Sequence, residues 1–126
     1  LTYNPHVVII KLGTNDTKPR NWRYSDEYVA DYLEMIKRFE NLPSEPKIWI
    51  CLPAPAYAVR WGIRESIITG ELIPKIHEVA EKAGVPVIDL YSPLSGKEEL
   101  FPDKIHPNAG GAGVIAQHIC TTLTGK

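Results

Sequence analysis

Two short polar segments combine the residue types that acid–base chemistry needs. The first is Gly13-Thr14-Asn15-Asp16, which follows the β-branched run Val7-Val8-Ile9-Ile10. The second is Asp103-Lys104-Ile105-His106-Pro107-Asn108, which precedes the last apolar segment of the chain. An Asp three residues before a His can fold back onto one imidazole nitrogen and leave the other free as a general base. The same pattern also occurs in a surface histidine beside a helix start.

Asn15 is the residue of chemical interest in the first segment. A glycine at the end of a strand permits a tight turn, so Gly13 lets the Asn15 amide project over the carboxyl edge of a sheet. An amide in that position can donate to a developing oxyanion. An ordinary Asn-Asp turn explains the same residues. Asn15-Asp16-Thr17 also matches the glycosylation sequon, for which a cleft at a strand end is a poor acceptor site.

The apolar periodicity alternates between strand and helix along the whole chain. It predicts strands at 7–10, buried on both faces, at 47–52 and at 86–91. It predicts one helix N-capped by Ser25, one over 64–83 that Pro74 kinks near Gly70, and a last helix N-capped by Asn108. Strands separated by helices imply parallel pairing and a three-layer α/β sandwich, whose ligand site lies at the carboxyl ends of the strands.

Taken together, the two polar segments resemble the third and fifth sequence blocks of the SGNH hydrolases, also called GDSL-type esterases. The resemblance implies a flavodoxin-like sheet of five parallel strands and a Ser-His-Asp esterase mechanism. It makes His106 the general base, Asp103 the acid that orients it, and Asn15 an oxyanion-hole amide.

The loop with Trp22 and the stretch 57–61 resemble those of bacterial members that deacetylate carbohydrates. Gly13, Trp22 and Trp61 are therefore the expected substrate-binding residues, and a small acyl ester or an acetylated carbohydrate is the expected substrate. Tryptophans in loops also act simply as anchors. A carbohydrate esterase would be secreted or periplasmic, but the sequence leaves the compartment unknown.

The serine nucleophile that the family carries in a Gly-Asp-Ser motif has no counterpart here. None of the five serines follows a Gly-Asp pair, and the glycine of the second family block is also unmatched. We therefore expect residues 1–126, which begin at Leu1 without a Met, to be the C-terminal part of one SGNH domain. It would hold the last three strands and helices and be inactive alone. The strand at 7–10 would lack a neighbour, which predicts an N-terminal complementing chain or a strand-exchanged dimer.

Composition excludes several other classes of protein. The 126 residues carry 14 Lys and Arg against 15 Asp and Glu, so nothing in the charge favours nucleic acid or an anionic membrane. The longest apolar run is too short to span a bilayer, and two cysteines are too few for a disulfide scaffold. The histidines lack metal-site spacing, and no cofactor is expected. A non-catalytic binding module of the same fold remains the main alternative. A nucleotide or phosphate binder is disfavoured because no Gly-rich loop is present.

Overall fold

The computed structural model describes residues 3–126 and contains a parallel three-stranded sheet. Leu1 and Thr2, on which the expectation about the start of the chain rests, lie outside the described residues. The strands are β1 (Val7–Ile10), β2 (Lys47–Cys51) and β3 (Val87–Ile88), in the order β1-β2-β3. In the register, Ile10 faces Ile50 and Cys51 faces Ile88. The predicted parallel pairing is confirmed.

Helices separate the strands, as the alternating periodicity predicts. The structure has α1 (Pro19–Trp22), α2 (Ser25–Glu40), α3 (Glu65–Ile67), α4 (Ile73–Ala83), α5 (Tyr91–Leu94) and α6 (Ala109–Thr124). Short 3-10 turns occupy Asn15–Thr17 and Glu98–Leu100. Among the described helices, none is long and apolar enough to cross a bilayer.

Three local features of these elements differ from the sequence prediction. Ser25 is the first residue of α2 rather than its cap, because Tyr24 occupies the cap position. The segment 14–24 contains short helical turns rather than an open loop. The third strand is shorter than the predicted 86–91, because Asp89 accepts hydrogen bonds from the backbone N–H and hydroxyl of Ser92 (3.0 and 2.5 Å) and the chain turns into α5.

The predicted kink near Gly70 is present as a π-helical segment, Ile68–Leu72, between α3 and α4. Pro74 lies in the first turn of α4 and has no N–H to donate to the carbonyl of Gly70. A wider helical turn is one way to accommodate a missing hydrogen bond in a helix. Gly84 ends α4 in the left-handed conformation with a φ of 65°, as expected for a residue that follows a helix.

The core lies mainly on one face of the sheet, between the strands and the helices α2 and α4. The fully buried side chains there alternate along the strands and recur at helical spacing along α4. They include Ile10, Ile48, Ile50, Ile36, Leu72, Ile76 and Val79. On the other face, Ile115 and Ile119 of α6 pack against Cys51 and Ile88, so helices cover both faces of the sheet.

The prediction that β1 is buried on both faces is wrong. Val8 and Ile10 face the core, whereas Val7 and Ile9 are 47% and 37% exposed. Ile9 pairs with Trp49 of β2, whose side chain belongs to the α6 face. Helix α6 packs over β2 and β3, so it leaves the β1 end of that face open. The alternate residues of β1 are consequently exposed, and β1 is an edge strand among the described residues.

Candidate active site

A cleft of about 220 Å³ lies at the carboxyl edge of the sheet, where the fold class predicts a ligand site. It is lined by Ile68 and by three separate segments: 11–16 after β1, 53–56 after β2, and 105–107 before α6. Asn15 and His106 both line it. Two segments some ninety residues apart, which sequence analysis linked only by their residue types, therefore meet in one cleft.

Asp103 and His106 form the contact expected from their spacing. The imidazole Nδ1 lies 2.7 Å from Asp103 Oδ2, and Asp103 Oδ1 accepts the backbone N–H groups of His106 (2.6 Å) and Ile105 (2.9 Å). Hydrogen bonds to a carboxylate favour its ionised form. The backbone and imidazole donors of His106 and the N–H of Ile105 hold the pKa of Asp103 well below its usual range. The paired Nδ1–H leaves Nε2 as the nitrogen that can accept a proton.

The conformation of this short turn exposes the imidazole. Lys104 adopts a φ of 73°, which is uncommon for a residue other than glycine. Ile105 is then buried in the core, while His106 and its side chain are exposed. The carbonyl of Lys104 accepts a hydrogen bond from the backbone N–H of Tyr57 (2.8 Å), which ties the turn to the loop after β2.

Hydrogen bonds from Thr17 hold the loop that carries Asn15. This fully buried threonine donates its hydroxyl to the carbonyl of Thr14 (2.6 Å) and its N–H to the carbonyl of Gly13 (3.3 Å). The side-chain amide of Asn21 donates to the carbonyl of Asn15 (3.0 Å). These bonds fix the backbone of the loop and leave Asn15 itself exposed. Sequence analysis missed the role of Thr17, although a threonine directly after an Asn-Asp pair is a signal for such a bond.

Gly13 is tightly enclosed. Its φ is 132°, and a Cβ placed on it would lie 2.7 Å from the Tyr28 hydroxyl oxygen and 2.8 Å from Leu72 Cδ1. The Tyr28 hydroxyl donates to the carbonyl of Leu12 (3.2 Å), and burial raises the pKa of Tyr28. A glycine is therefore required here by both conformation and space.

Trp61 is the aromatic side chain that the structure brings to His106. It is 54% exposed, and its ring centroid lies 5.7 Å from that of His106. Trp61 and Gly62 have φ values of 51° and 81°, and Arg60 and Ile63 bond across them. This is the pattern of a tight hairpin turn with two left-handed central residues. The Arg60 guanidinium carbon lies 5.0 Å from the Trp61 centroid.

Two other aromatic side chains have positions that the sequence analysis did not foresee. Trp22 lies in helix α1 rather than in a loop and is only 9% exposed, with its ring 5.8 Å from that of Tyr28. It lines a separate groove of about 430 Å³ beside α2, outside the cleft that holds His106. Tyr57 packs its ring 5.1 Å from that of Phe101 and bonds its hydroxyl to the carbonyl of Leu94. Both rings pack against the protein rather than standing open like Trp61.

No serine lines the described part of the cleft. Ser92 bonds to Asp89, and Ser44 bonds to the carbonyl of Pro5. Within residues 3–126 the structure also holds no group of three or more His, Cys, Asp or Glu side chains placed to bind a metal ion. The cleft thus presents an Asp-paired histidine and an exposed amide.

A parallel sheet with helices on both faces and an Asp–His pair at its carboxyl edge is the arrangement of the SGNH hydrolases. The GDSL-like lipase/acylhydrolase family matches residues 1–114, and the chain belongs to this family.

Two esterases are similar to the chain in sequence. An acetylxylan esterase of Xylanibacter ruminicola is 38% identical over an alignment 141 residues long, and this alignment covers 98% of this chain and 29% of that protein. A multidomain esterase of Ruminococcus flavefaciens is 28% identical over 112 residues, which cover 86% of this chain and 14% of that protein. The chain therefore spans less than a third of either relative.

Solved structures share the fold. A lipase/acylhydrolase from Enterococcus faecalis superposes with a TM-score of 0.79 at 25% identity, over 96% of this chain and 62% of that one. The acetylxylan esterase Axe2 from Geobacillus stearothermophilus superposes with a TM-score of 0.72 at 18% identity, over 96% and 60%. These likenesses establish the three-layer α/β fold class.

Proposed function

We propose that this chain supplies the general base, its orienting acid and an oxyanion-hole amide for carboxylic ester hydrolysis, and that acetylated carbohydrates are the substrates. The observation that carries the proposal is the 2.7 Å contact between His106 Nδ1 and Asp103 Oδ2, in the same cleft as Asn15. Family membership supports ester chemistry, and the acetylxylan esterase relative supports the substrate class.

The proposed reaction follows the serine esterase pathway. A serine hydroxyl from outside residues 1–126 attacks the ester carbonyl, and His106 Nε2 takes its proton. The Asn15 amide donates to the oxyanion of the tetrahedral intermediate. The imidazolium returns the proton to the leaving alcohol, and water then releases the acid from the acyl-serine by the same steps. Asp103 holds the imidazole in the correct tautomer and stabilises its protonated form.

Trp61 is the proposed substrate-binding side chain. Its exposed ring lies beside His106, and an aromatic face is a suitable surface for the apolar side of a sugar ring. Gly13 contributes to binding indirectly, because it sets the turn from which Asn15 projects. Trp22 is buried in the core, so we assign it no contact with substrate.

The open edge of the sheet is the proposed docking place for the missing nucleophile segment. Val7 and Ile9 are exposed on β1, Leu12 is exposed just after it, and the 430 Å³ groove continues from Leu12 along α2. A complementing segment that pairs with β1 and extends into the groove would cover these apolar side chains. A strand-exchanged dimer would cover the same edge.

Hydrolysis of p-nitrophenyl acetate tests the proposal. The isolated chain is expected to show no turnover above buffer. A domain completed with a Gly-Asp-Ser segment from a family member should turn over, and His106→Ala should lower its rate by about 10⁴-fold or more. His77→Ala is the matched control, because His77 is exposed on α4 and does not line the cleft.

Each outcome of this assay is decisive. Turnover by the isolated chain that His106→Ala abolishes would refute the view that the site is incomplete. Turnover of the completed domain that survives His106→Ala would refute the role of His106 as base. A completed domain that binds acetylated xylo-oligosaccharides without hydrolysing them would support the non-catalytic binding module instead.

The docking proposal has its own variant. Ile9→Arg places a charge on the open face of β1 and is expected to block complementation while leaving the isolated chain folded. Light scattering at high concentration distinguishes the occupants, because a strand-exchanged dimer forms without any added segment. The assignment of this edge would be overturned if the chain stays monomeric and the added segment complements the Ile9→Arg variant as well as it complements the wild-type chain.

A further inference from the structure

Tyr57 connects the loop after β2 to three separate points in the loop that carries His106. Its hydroxyl donates to the carbonyl of Leu94 and accepts the backbone N–H of Lys97 (3.1 Å). Its ring packs 5.1 Å from the ring of Phe101. Its backbone N–H donates to the carbonyl of Lys104 (2.8 Å). A single residue thus holds the start, the middle and the end of this loop.

The bond to Lys104 acts directly on the turn that pairs Asp103 with His106. Lys104 lies between those two residues and has a φ of 73°, a conformation that a lysine keeps only when its surroundings hold it there. The hydrogen bond from the Tyr57 N–H reaches the Lys104 carbonyl from outside the turn. The Phe101 N–H and the Lys104 N–H close the same stretch from within, through bonds to Glu98 and Phe101.

Glu65 in turn fixes the backbone next to Tyr57. Its carboxylate accepts the N–H of Ala56 (2.6 Å) and the hydroxyl of Tyr91. Burial, together with the neighbouring Glu65 carboxylate, raises the pKa of Tyr91 to about 12, so the phenol remains a donor at neutral pH. Ala56 is itself buried and lines the cleft. The segment that presents Tyr57 is therefore held to α3 and α5, not merely to the loop that it supports.

We propose that Tyr57 is a positioning residue for His106. The bonds of its hydroxyl to Leu94 and Lys97 hold the residue where its backbone N–H reaches the Lys104 carbonyl, and this keeps the imidazole in register with Asp103. The proposal rests on the proposed function only in treating His106 as the general base. The residue touches neither the reacting atoms nor His106. It works by limiting the conformations of the turn that pairs Asp103 with His106.

The first test uses the isolated chain and needs no enzyme activity. Imidazole ¹⁵N NMR measures the ratio of the Nδ1–H to the Nε2–H tautomer of His106. Tyr57→Phe keeps the ring on Phe101 and removes the hydroxyl, and it is expected to lower this ratio about 2- to 10-fold, the range that loss of one or two net hydrogen bonds allows. Asp103→Asn, which places an amide NH2 donor in place of the Oδ2 acceptor, sets the fully mispositioned value. Tyr24→Phe is the matched control, because the Tyr24 side chain is exposed.

The outcomes separate positioning from general stability. A loss of stability alone would lower the melting temperature of Tyr57→Phe and leave the tautomer ratio of the folded chain at the wild-type value, and that result overturns the proposal. If Tyr57→Phe does not fold, Glu65→Ala is measured instead, because alanine removes the acceptor that holds the Ala56 N–H next to Tyr57. An unchanged ratio there overturns the proposal as well.

The second test uses the domain completed with a Gly-Asp-Ser segment. Tyr57→Phe is expected to lower kcat in proportion to the fraction of His106 in the Nδ1–H tautomer and to leave KM unchanged, because the proposed substrate contacts lie on Trp61 and Asn15. A raised KM with unchanged kcat overturns the positioning role. A completed domain without esterase activity counts against the proposed function, whereas the tautomer ratio still decides the role of Tyr57.

Discussion

Gly13 is the position at which one added methyl group tests the packing of the candidate site most sharply. In Gly13→Ala the new Cβ would lie 2.7 Å from the Tyr28 hydroxyl oxygen and 2.8 Å from Leu72 Cδ1, at a φ of 132°. Forcing a methyl into a filled space costs about 1–3 kcal/mol. A φ in a region that is nearly confined to glycine costs about 1–3 kcal/mol more. We expect the free energy of unfolding to fall by about 2–6 kcal/mol.

Urea denaturation of three glycine variants separates the two contributions. Gly84→Ala places an alanine at a φ of 65° with no atom within 4 Å, so it reports the cost of conformation alone, about 1–2 kcal/mol. Gly70→Ala adds a methyl in open space without a positive φ, and a helical alanine there is expected to be neutral or to stabilise by up to about 1 kcal/mol. The excess loss in Gly13→Ala over Gly84→Ala measures the packing.

A double-mutant cycle identifies the side chain responsible. Tyr28→Phe removes the hydroxyl and its 3.2 Å bond to the Leu12 carbonyl, which costs about 0.5–1.5 kcal/mol by itself. In the double variant Gly13→Ala/Tyr28→Phe the collision with the hydroxyl is absent. The free energy of unfolding should therefore fall by about 0.5–3 kcal/mol less in the double variant than the sum of the two single losses. If Gly13→Ala destabilises no more than Gly84→Ala, or if the two losses add fully, the enclosure of Gly13 by Tyr28 is refuted.

Three further predictions address other parts of the fold. Asp103 has a folded-state pKa below its reference value of 3.8, so its contribution to stability is present above that value and is lost as the pH falls through the folded pKa. Urea midpoints measured at descending pH should therefore fall less steeply in Asp103→Asn than in the wild-type chain. Asn108 accepts the N–H of Gly111 (3.0 Å) at the start of α6, and Asn108→Ala should cost about 1 kcal/mol in the same assay, with no effect arguing against the cap. Leu72→Ala should cost about 2–5 kcal/mol because Leu72 is fully buried, whereas Leu123→Ala, at a 37% exposed position, should cost far less, and equal losses would contradict the assigned core.

Features that depend on a few neighbouring residues could be read from the sequence. The Asp103–His106 contact needs only a three-residue spacing and a turn, and the Asn108 cap needs only the adjacent helix. Pro74 disturbs its helix wherever that helix packs, because the missing N–H is a property of the residue itself. These local features are also the ones that define the histidine half of the candidate site.

Features that depend on distant partners could not be read in this way. Tyr57 and Lys97 are 40 residues apart, and nothing in either residue type indicates that they bond. The sequence around Trp22 is compatible with both a loop anchor and a substrate-binding side chain, and only its packing against Tyr28 decides between them. The exposure of Ile9 depends on how far α6 extends over the sheet. A β-branched run has the same sequence pattern whether a helix covers it or not.

The same distinction explains how a cleft can keep its acid–base geometry without a serine. The Asp103–His106 pair is built within one turn, and the Asn15 loop is built by Thr17 and Asn21 within one short stretch. Neither half uses the open edge at β1, where the proposed complementing segment would dock. Complementation therefore needs to add only the nucleophile and the second oxyanion donor to parts that already have their shape. On this reasoning the docked edge decides whether the nucleophile segment binds, whereas the loop that carries Tyr57 holds the turn that pairs Asp103 with His106.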